Sequence, residues 1–127
     1  QKLREELLGS IKTARIRACS LGEINEGYLC IINATPVGMH PYESEMPISK
    51  NSIEKAKVVY DMIYNPYKTR LLKTAQNCGC RTINGLPMLF HQAVKAQKIW
   101  FNDRTIESVD LNTIYQKIET SLRGENG

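Results

Sequence analysis

The segment Tyr28-Leu29-Cys30-Ile31-Ile32 constrains this 127-residue chain more than any other feature. It is apolar at every position instead of alternating, as expected of a parallel strand covered on both faces. Turn-forming residues follow at once. Asn33 to Ser49 holds Pro36, Gly38, Pro41 and Pro47 and reads as a long irregular loop. A compact domain seldom keeps such a loop unless it has a task.

The same rhythm recurs along the chain. Thr13 to Cys19, Lys57 to Met62 and Arg81 to Ile83 read as further strands, with turns at Gly22, Gly27 and Tyr64-Asn65-Pro66. Helical spacing fills the intervals. Lys2 to Leu8 reads as a helix with Leu3, Leu7 and Leu8 on one side, and Ser52 to Ala56 as a helical turn. Thr69 is placed to cap a helix from Arg70 to Asn77, with Gly79 in the left-handed position that closes it. Gly85 opens a helix whose apolar positions are Leu86, Leu89, Phe90, Ala93 and Trp100. Asp110 is placed to cap a last helix carrying Leu111, Ile114, Ile118 and Leu122, and Gly124 to Gly127 reads as a fraying tail. Strands alternating with helices imply an α/β layer fold with a parallel sheet. Ligands of such folds collect at the carboxyl ends of the strands. Three loops lie at such ends, Asn33 to Met39, Met62 to Thr69 and Asn84 to Met88, and are expected to converge on one crevice.

Bulk properties exclude several classes of function. Hydrophobic residues make up 42% and charged residues 24%, the balance of a soluble globular protein. The longest apolar run, Leu29 to Ile32, falls far short of the roughly 20 residues that span a bilayer. The charged start, Gln1 to Glu6, is no signal peptide. Gln1 in place of Met suggests that something upstream is missing. Net charge is +4, yet Lys and Arg are scattered among acids, so no basic stripe marks a nucleic-acid surface. The charge reads as solubility, with a mild preference for anionic ligands. Cys19, Cys30, Cys78 and Cys80 read as reduced structural thiols of a cytosolic protein, Cys30 acting as a small hydrophobe. His40 and His91 lie far apart with no acidic partner at ligand spacing, so no metal site is expected.

The three loops read Asn33-Ala34-Thr35-Pro36-Val37-Gly38-Met39, Tyr60-Asp61-Met62-Ile63-Tyr64-Asn65-Pro66 and Asn84-Gly85-Leu86-Pro87-Met88-Leu89, the last followed by His91-Gln92-Ala93. In this order, with Thr69-Arg70-Leu71-Leu72 and Trp100-Phe101 in register, they resemble the cofactor-domain signatures of the shikimate and quinate dehydrogenases. The resemblance covers roughly Leu3 to Phe101. It implies hydride transfer between a nicotinamide cofactor, by family default NADP, and shikimate or 3-dehydroshikimate. It also implies the second half of a Rossmann-type dinucleotide-binding domain over 1–102, with a carboxyl-terminal helix and tail over 103–127.

The resemblance assigns Asn33, Ala34, Thr35, Met62, Gly85, Met88 and Leu89 to the cofactor and Tyr64 and Gln92 to the substrate. Physical sense accompanies each assignment. Ala34 and Thr35 can meet the ribose next to the nicotinamide. Met62 and Met88 are adaptable apolar walls. Gly85 permits close backbone approach, and the Gln92 amide, one turn after Met88, can bond polyol hydroxyls. From the residues alone, Met62, Met88 and Leu89 read equally as core, and Gln92 as a solvated helix residue. His91 reads as structural, Asp61 as an anchor for its turn more than a general base, and Tyr42, Glu43 and Glu45 as solvent-facing.

The Gly-rich pyrophosphate turn expected after a first strand is absent from the sequence, and the catalytic Lys and Asp of the resembled family have no counterpart. Strands three to six of the order 3-2-1-4-5-6 would remain. The strand Leu29 to Ile32 would then carry an open apolar edge, which predicts self-association into a homo-oligomer. An isolated chain of this kind is expected to be inactive and to bind NADP poorly. A non-catalytic association module is the alternative reading.

Overall fold

Three parallel strands organise the chain: β1 (Cys30–Asn33), β2 (Val58–Asp61) and β3 (Arg81–Ile83), hydrogen-bonded in the order β1-β2-β3. The structure, a computed structural model, describes Glu5 and residues 17–24, 27–101 and 109–124. Among the described residues the sheet is accompanied by α1 (Lys50–Ile53), α2 (Arg70–Asn77), α3 (Leu86–Phe101) and α4 (Leu111–Gly124). The α/β class with a parallel sheet is therefore as expected.

Register places Ile31 beside Val59, Val59 beside Thr82, and Asn33 beside Asp61. Since side chains alternate along a strand, Ile31, Asn33, Val59 and Asp61 share one face of the sheet. That face is the covered one. Val59 packs there with Ile53 of α1 and with Leu71, Leu72 and Ala75 of α2, while Ile31, Met46 and Ile48 close the margin. Cys80 completes this core, its thiol donating to the carbonyls of Ile53 and Ala56 at 3.4 and 3.2 Å. Burial pushes the Cys80 thiol above its ordinary range, with the neighbouring Cys78 adding to the effect, and all four cysteines are free.

The opposite face departs from expectation. Ile32, on that face, is 61% exposed, so β1 is covered on one face only. Cys30 is likewise exposed rather than packed as a small hydrophobe. The described helices of the core pack on the Val59 face, and β1 also stands at the end of the sheet with β2 as its one strand neighbour among the described residues. Of the strand expected over Thr13 to Cys19, Arg17 to Cys19 form none. Thr13 to Ile16 lie outside the described residues, as do the expected helix from Lys2 to Leu8 (Glu5 apart), the division between 102 and 103, and the tail beyond Gly124.

Local chemistry explains the remaining elements. Thr69 caps α2, its hydroxyl accepting from the Leu72 amide at 3.3 Å, and Gly79 closes the helix at φ +79°. Asp110 caps α4 by accepting from the amides of Asn112 and Thr113. Helix α4 docks through an edge-to-face contact between Tyr115 and Phe90 of α3, with ring centroids 5.3 Å apart. It docks also through Tyr67, whose hydroxyl donates to Glu119 while Arg123 lies 4.8 Å above the ring.

Gly85 is set by close approach. A Cβ there would lie 1.9 Å from the Met62 carbonyl oxygen, and the Gly85 amide donates to the Ile63 carbonyl at 2.9 Å. Because the obstructing atom is backbone, Gly85→Ala is expected to cost about 3 kcal/mol, the upper range for overpacking. Gly79→Ala meets no atom within 4 Å and carries only the cost of its positive φ, about 1 kcal/mol. Urea unfolding of the two variants checks the order; equal losses would refute the close-packing account.

Candidate functional site

The first and second loops enclose a cleft of about 590 Å³ at the carboxyl ends of β1 and β2. Ala34 and Thr35 line one wall, and Met62, Ile63 and Tyr64 the other. Met62 and Tyr64 are 37% and 42% exposed, so the reading of Met62 as core does not hold. The Tyr64 hydroxyl has no hydrogen-bond partner among the described residues and is available to a ligand.

A buried polar centre shapes both walls. Asp61 is fully buried, and its Oδ1 accepts from Asn33 Nδ2 at 3.0 Å and from the Ile63 amide at 3.1 Å. Its Oδ2 accepts from the Thr69 hydroxyl at 2.6 Å. Asn33 carries the bonding outward. Its Nδ2 also donates to the Val37 carbonyl, and its Oδ1 accepts from the amide and hydroxyl of Thr35 at 3.0 and 2.7 Å. Both Asn33 amide protons are thereby spent inside the protein. The Asn33 side chain thus holds the first loop in shape, and Ala34 and Thr35 line the cleft beside it. The Thr35 hydroxyl proton is engaged too, and its oxygen accepts from the Val37 amide at 3.3 Å, which leaves one lone pair of that oxygen and the adjacent backbone for a ligand. Gly38, at φ +106°, lets the loop turn back against Thr69 and Ile63.

Asp61 is an anchor for its turn, as read from the sequence. Burial raises its pKa above the ordinary carboxylate value, while hydrogen bonds from Thr69, Ile63 and Asn33 act in the lowering direction.

The third loop stands differently from expectation. Gly85 backs onto Met62 and Ile63, and Asn84 Nδ2 donates to the Tyr67 carbonyl at 3.1 Å. Met88, Leu89 and Gln92 are not among the residues that line the cleft of the first two loops. Met88 is half-buried, Leu89 is 39% exposed, and Gln92 is exposed with no hydrogen-bond partner among the described residues. Two residues that sequence reasoning left aside join the cleft, His40 and Glu43, paired at 2.8 Å. Their spacing at a Pro-containing turn was the available signal. Hydrogen bonds from the turn backbone and from His40 lower the pKa of the Glu43 carboxyl. Among the described residues no group of His, Cys, Asp and Glu could hold a metal ion.

No protein-family model matches the chain. Among curated proteins it is 36% identical, over 118 residues, to a shikimate dehydrogenase (NADP(+)) of Clostridium perfringens, a match covering 91% of this chain and 43% of that protein. Among solved structures, a shikimate dehydrogenase in complex with NADP+ superposes with TM-score 0.79 at 32% identity, covering 95% of this chain and 42% of the other. The chorismate mutase/shikimate 5-dehydrogenase fusion of Clostridium acetobutylicum follows at TM-score 0.73 and 36% identity, covering 81% of this chain and 38% of the other. The chain thus spans less than half the length of the relatives it matches.

Asp61→Asn tests the buried centre. A raised folded pKa means that the folded state holds this proton more tightly than the unfolded chain. The Asp61 contribution is therefore present in full below the unfolded value of 3.8 and falls as pH rises through the folded value. The stability difference, wild type minus Asp61→Asn, should decline with rising pH across that window. Asp61→Ala, which orphans three buried donors, should cost about 3 kcal/mol or more at every pH. A pH-independent difference would overturn the account. Over the part of their length that it spans, this chain is similar in sequence and in fold to shikimate dehydrogenases.

Proposed function

We propose that the chain is the carboxyl-terminal, cofactor-domain part of an NADP-dependent shikimate dehydrogenase that interconverts shikimate and 3-dehydroshikimate in the cytoplasm, in aromatic amino-acid biosynthesis. The observation that carries this reading is the cleft in which Ala34 and Thr35 face Met62 and Tyr64 at the carboxyl ends of adjacent parallel strands. These residues fit the nicotinamide half of a dinucleotide: an open apolar wall from Met62, the loop backbone beside Thr35, an unpartnered hydroxyl at Tyr64, and a volume of about 590 Å³. NADP would supply or accept hydride. Met62 would pack on the ring and exclude water from it. The loop from Asn33 to Val37 would hold the adjoining ribose through its backbone and the Thr35 oxygen. Tyr64 and Gln92 would orient the substrate hydroxyls, each having a side chain with no internal partner. Met88, Leu89 and the backbone at Gly85 would border the cofactor once substrate and cofactor bring α3 toward the first two loops.

No Gly-rich turn for a pyrophosphate occurs in this sequence, and no side chain of it is proposed as a catalytic acid or base. The chain by itself is therefore proposed to be inactive and a weak binder of NADP. The test is shikimate-dependent reduction of NADP by the chain extended to the full length of its relatives. Turnover should appear, and Gln92→Ala should lower kcat/KM at least about tenfold by removing charge-neutral hydrogen bonds made in the transition state. No turnover with shikimate or quinate, using NADP or NAD, would sink the proposal.

A second reading, association through this fold without catalysis, draws on the open edge of β1 and on the surface at the end of α3, where Ile99, Trp100 and Phe101 are 67%, 75% and 63% exposed. Exposed strand edges and large apolar patches recruit other chains. The isolated chain is expected to form a homo-oligomer through the β1 edge, seen as a mass above the monomer in light scattering at micromolar concentration. Ile32→Lys should restore the monomer. A monodisperse wild-type monomer would refute the strand-pairing account.

A further inference from the structure

On the far side of Pro66 from the site described above lies a larger cleft, of about 1220 Å³, between the Tyr67 turn, α2, β3 and α4. It shares Pro66 and Glu43 with the smaller cleft and otherwise has its own lining. That lining carries four cations, Lys68, Arg70, Lys73 and Arg123, against one acid, Glu43. The Glu43 carboxylate is already paired with His40 at 2.8 Å.

The cations differ in how they are held. Arg123 is fixed by Glu119 at 3.0 Å and by the Tyr67 hydroxyl at 3.1 Å. Arg70 is tethered at one end, donating from Nη1 to the Ser44 carbonyl, which leaves the rest of its guanidinium fork free. Lys68 and Lys73 have no side-chain partner among the described residues. Arg70, Lys73 and Gln76 follow one another by a turn of α2 and so face the same side. Like charges one turn apart oppose each other, and α2 has no acid in its first turn to offset them. A solvated helix face normally mixes signs at this spacing. Here the cations line a concave surface, where low-dielectric walls concentrate their field.

We propose that this cleft is a binding site for a small multivalent oxyanion, of the phosphate or polycarboxylate class. Lys68, Lys73 and the free end of Arg70 neutralise the ligand, Gln76 donates its amide, and Tyr67 with Tyr115 forms the rim. Arg123 is committed to Glu119 and shapes the wall instead of binding. The proposal concerns a site separate from the Thr35–Met62 cleft and does not depend on the reaction assigned to that cleft.

The test is a titration of the isotopically labelled full chain with inorganic pyrophosphate and, separately, with citrate, each against sodium chloride at matched ionic strength. Amide shifts should saturate with either probe or with both, and should concentrate in residues 67–76. Lys68→Gln with Lys73→Gln should weaken that binding at least about tenfold, as loss of two charge-assisted contacts implies, without changing the melting temperature. Saturation by pyrophosphate alone assigns the site to phosphates, and saturation by citrate alone to polycarboxylates. The proposal is overturned if neither probe saturates, if chloride reproduces the shifts, if the shifts gather around Thr35 and Met62, or if the double variant binds as the wild type does.

Discussion

Everything at the carboxyl ends of these strands depends on one buried carboxylate. Asp61 ends β2 on the covered face of the sheet, beside Asn33 at the end of β1. There it meets three donors from three places: the first loop through Asn33, its own turn through the Ile63 amide, and the start of α2 through Thr69. A carboxylate suits this position because it accepts at both oxygens and has no donor of its own to satisfy. Burying it is costly, as the upward pull on its pKa shows, and the three bonds offset that cost. Thr69 is bound on its other side to the Leu72 amide, so a single hydroxyl links strand end and helix cap.

Rigidity spreads from this centre by backbone contact. The turn after Asp61 presents its Met62 and Ile63 carbonyls to the third loop, which approaches so closely that only glycine fits at position 85. Asn84 then bonds Tyr67, and Tyr67 holds α4 through Glu119 and Arg123. Burial followed by the bond to Glu119 raises the pKa of the Tyr67 phenol, and the same bond lowers that of the Glu119 carboxyl. Both shifts favour phenol donating to carboxylate, the state in which the clamp closes. The last helix is thereby mechanically continuous with the loop that carries Tyr64.

Much of this was legible in the sequence, and what was legible had short range. The cap at Thr69, the left-handed Gly79, the cap at Asp110 and the strand Arg81–Ile83 are each decided by residues within one turn of themselves. The parallel sheet could be inferred from the unbroken apolar run at Leu29 to Ile32, although one face of that run is open. Roles settled by tertiary partners were not legible. Asn33 in a loop signature reads as a ligand contact, and only the placement of Asp61 on the neighbouring strand shows that its amide is spent internally. That Gly85 also packs against the Met62 backbone is likewise visible only in the fold. His40 and Glu43 gave no long-range signal and needed the fold of their loop to be seen as part of the cleft wall.

Polar and apolar groups are satisfied to different degrees among the described residues. The core lies on one side of the sheet, where Ile53, Val59, Leu71, Leu72 and Ala75 are almost completely buried. Burial at roughly 25 cal/mol per Å² of apolar surface makes that side self-sufficient. On the other side Cys30 and Ile32 are exposed, and at the end of α3 so are Ile99, Trp100 and Phe101. Exposure of that kind costs nothing in local geometry, because no polar atom is stranded by it: every buried side-chain nitrogen and oxygen among the described residues has a partner. The polar part of the design is thus closed and the apolar part open. Polar order therefore gathers around Asp61, while the outer apolar surfaces would gain from any apolar partner that meets them.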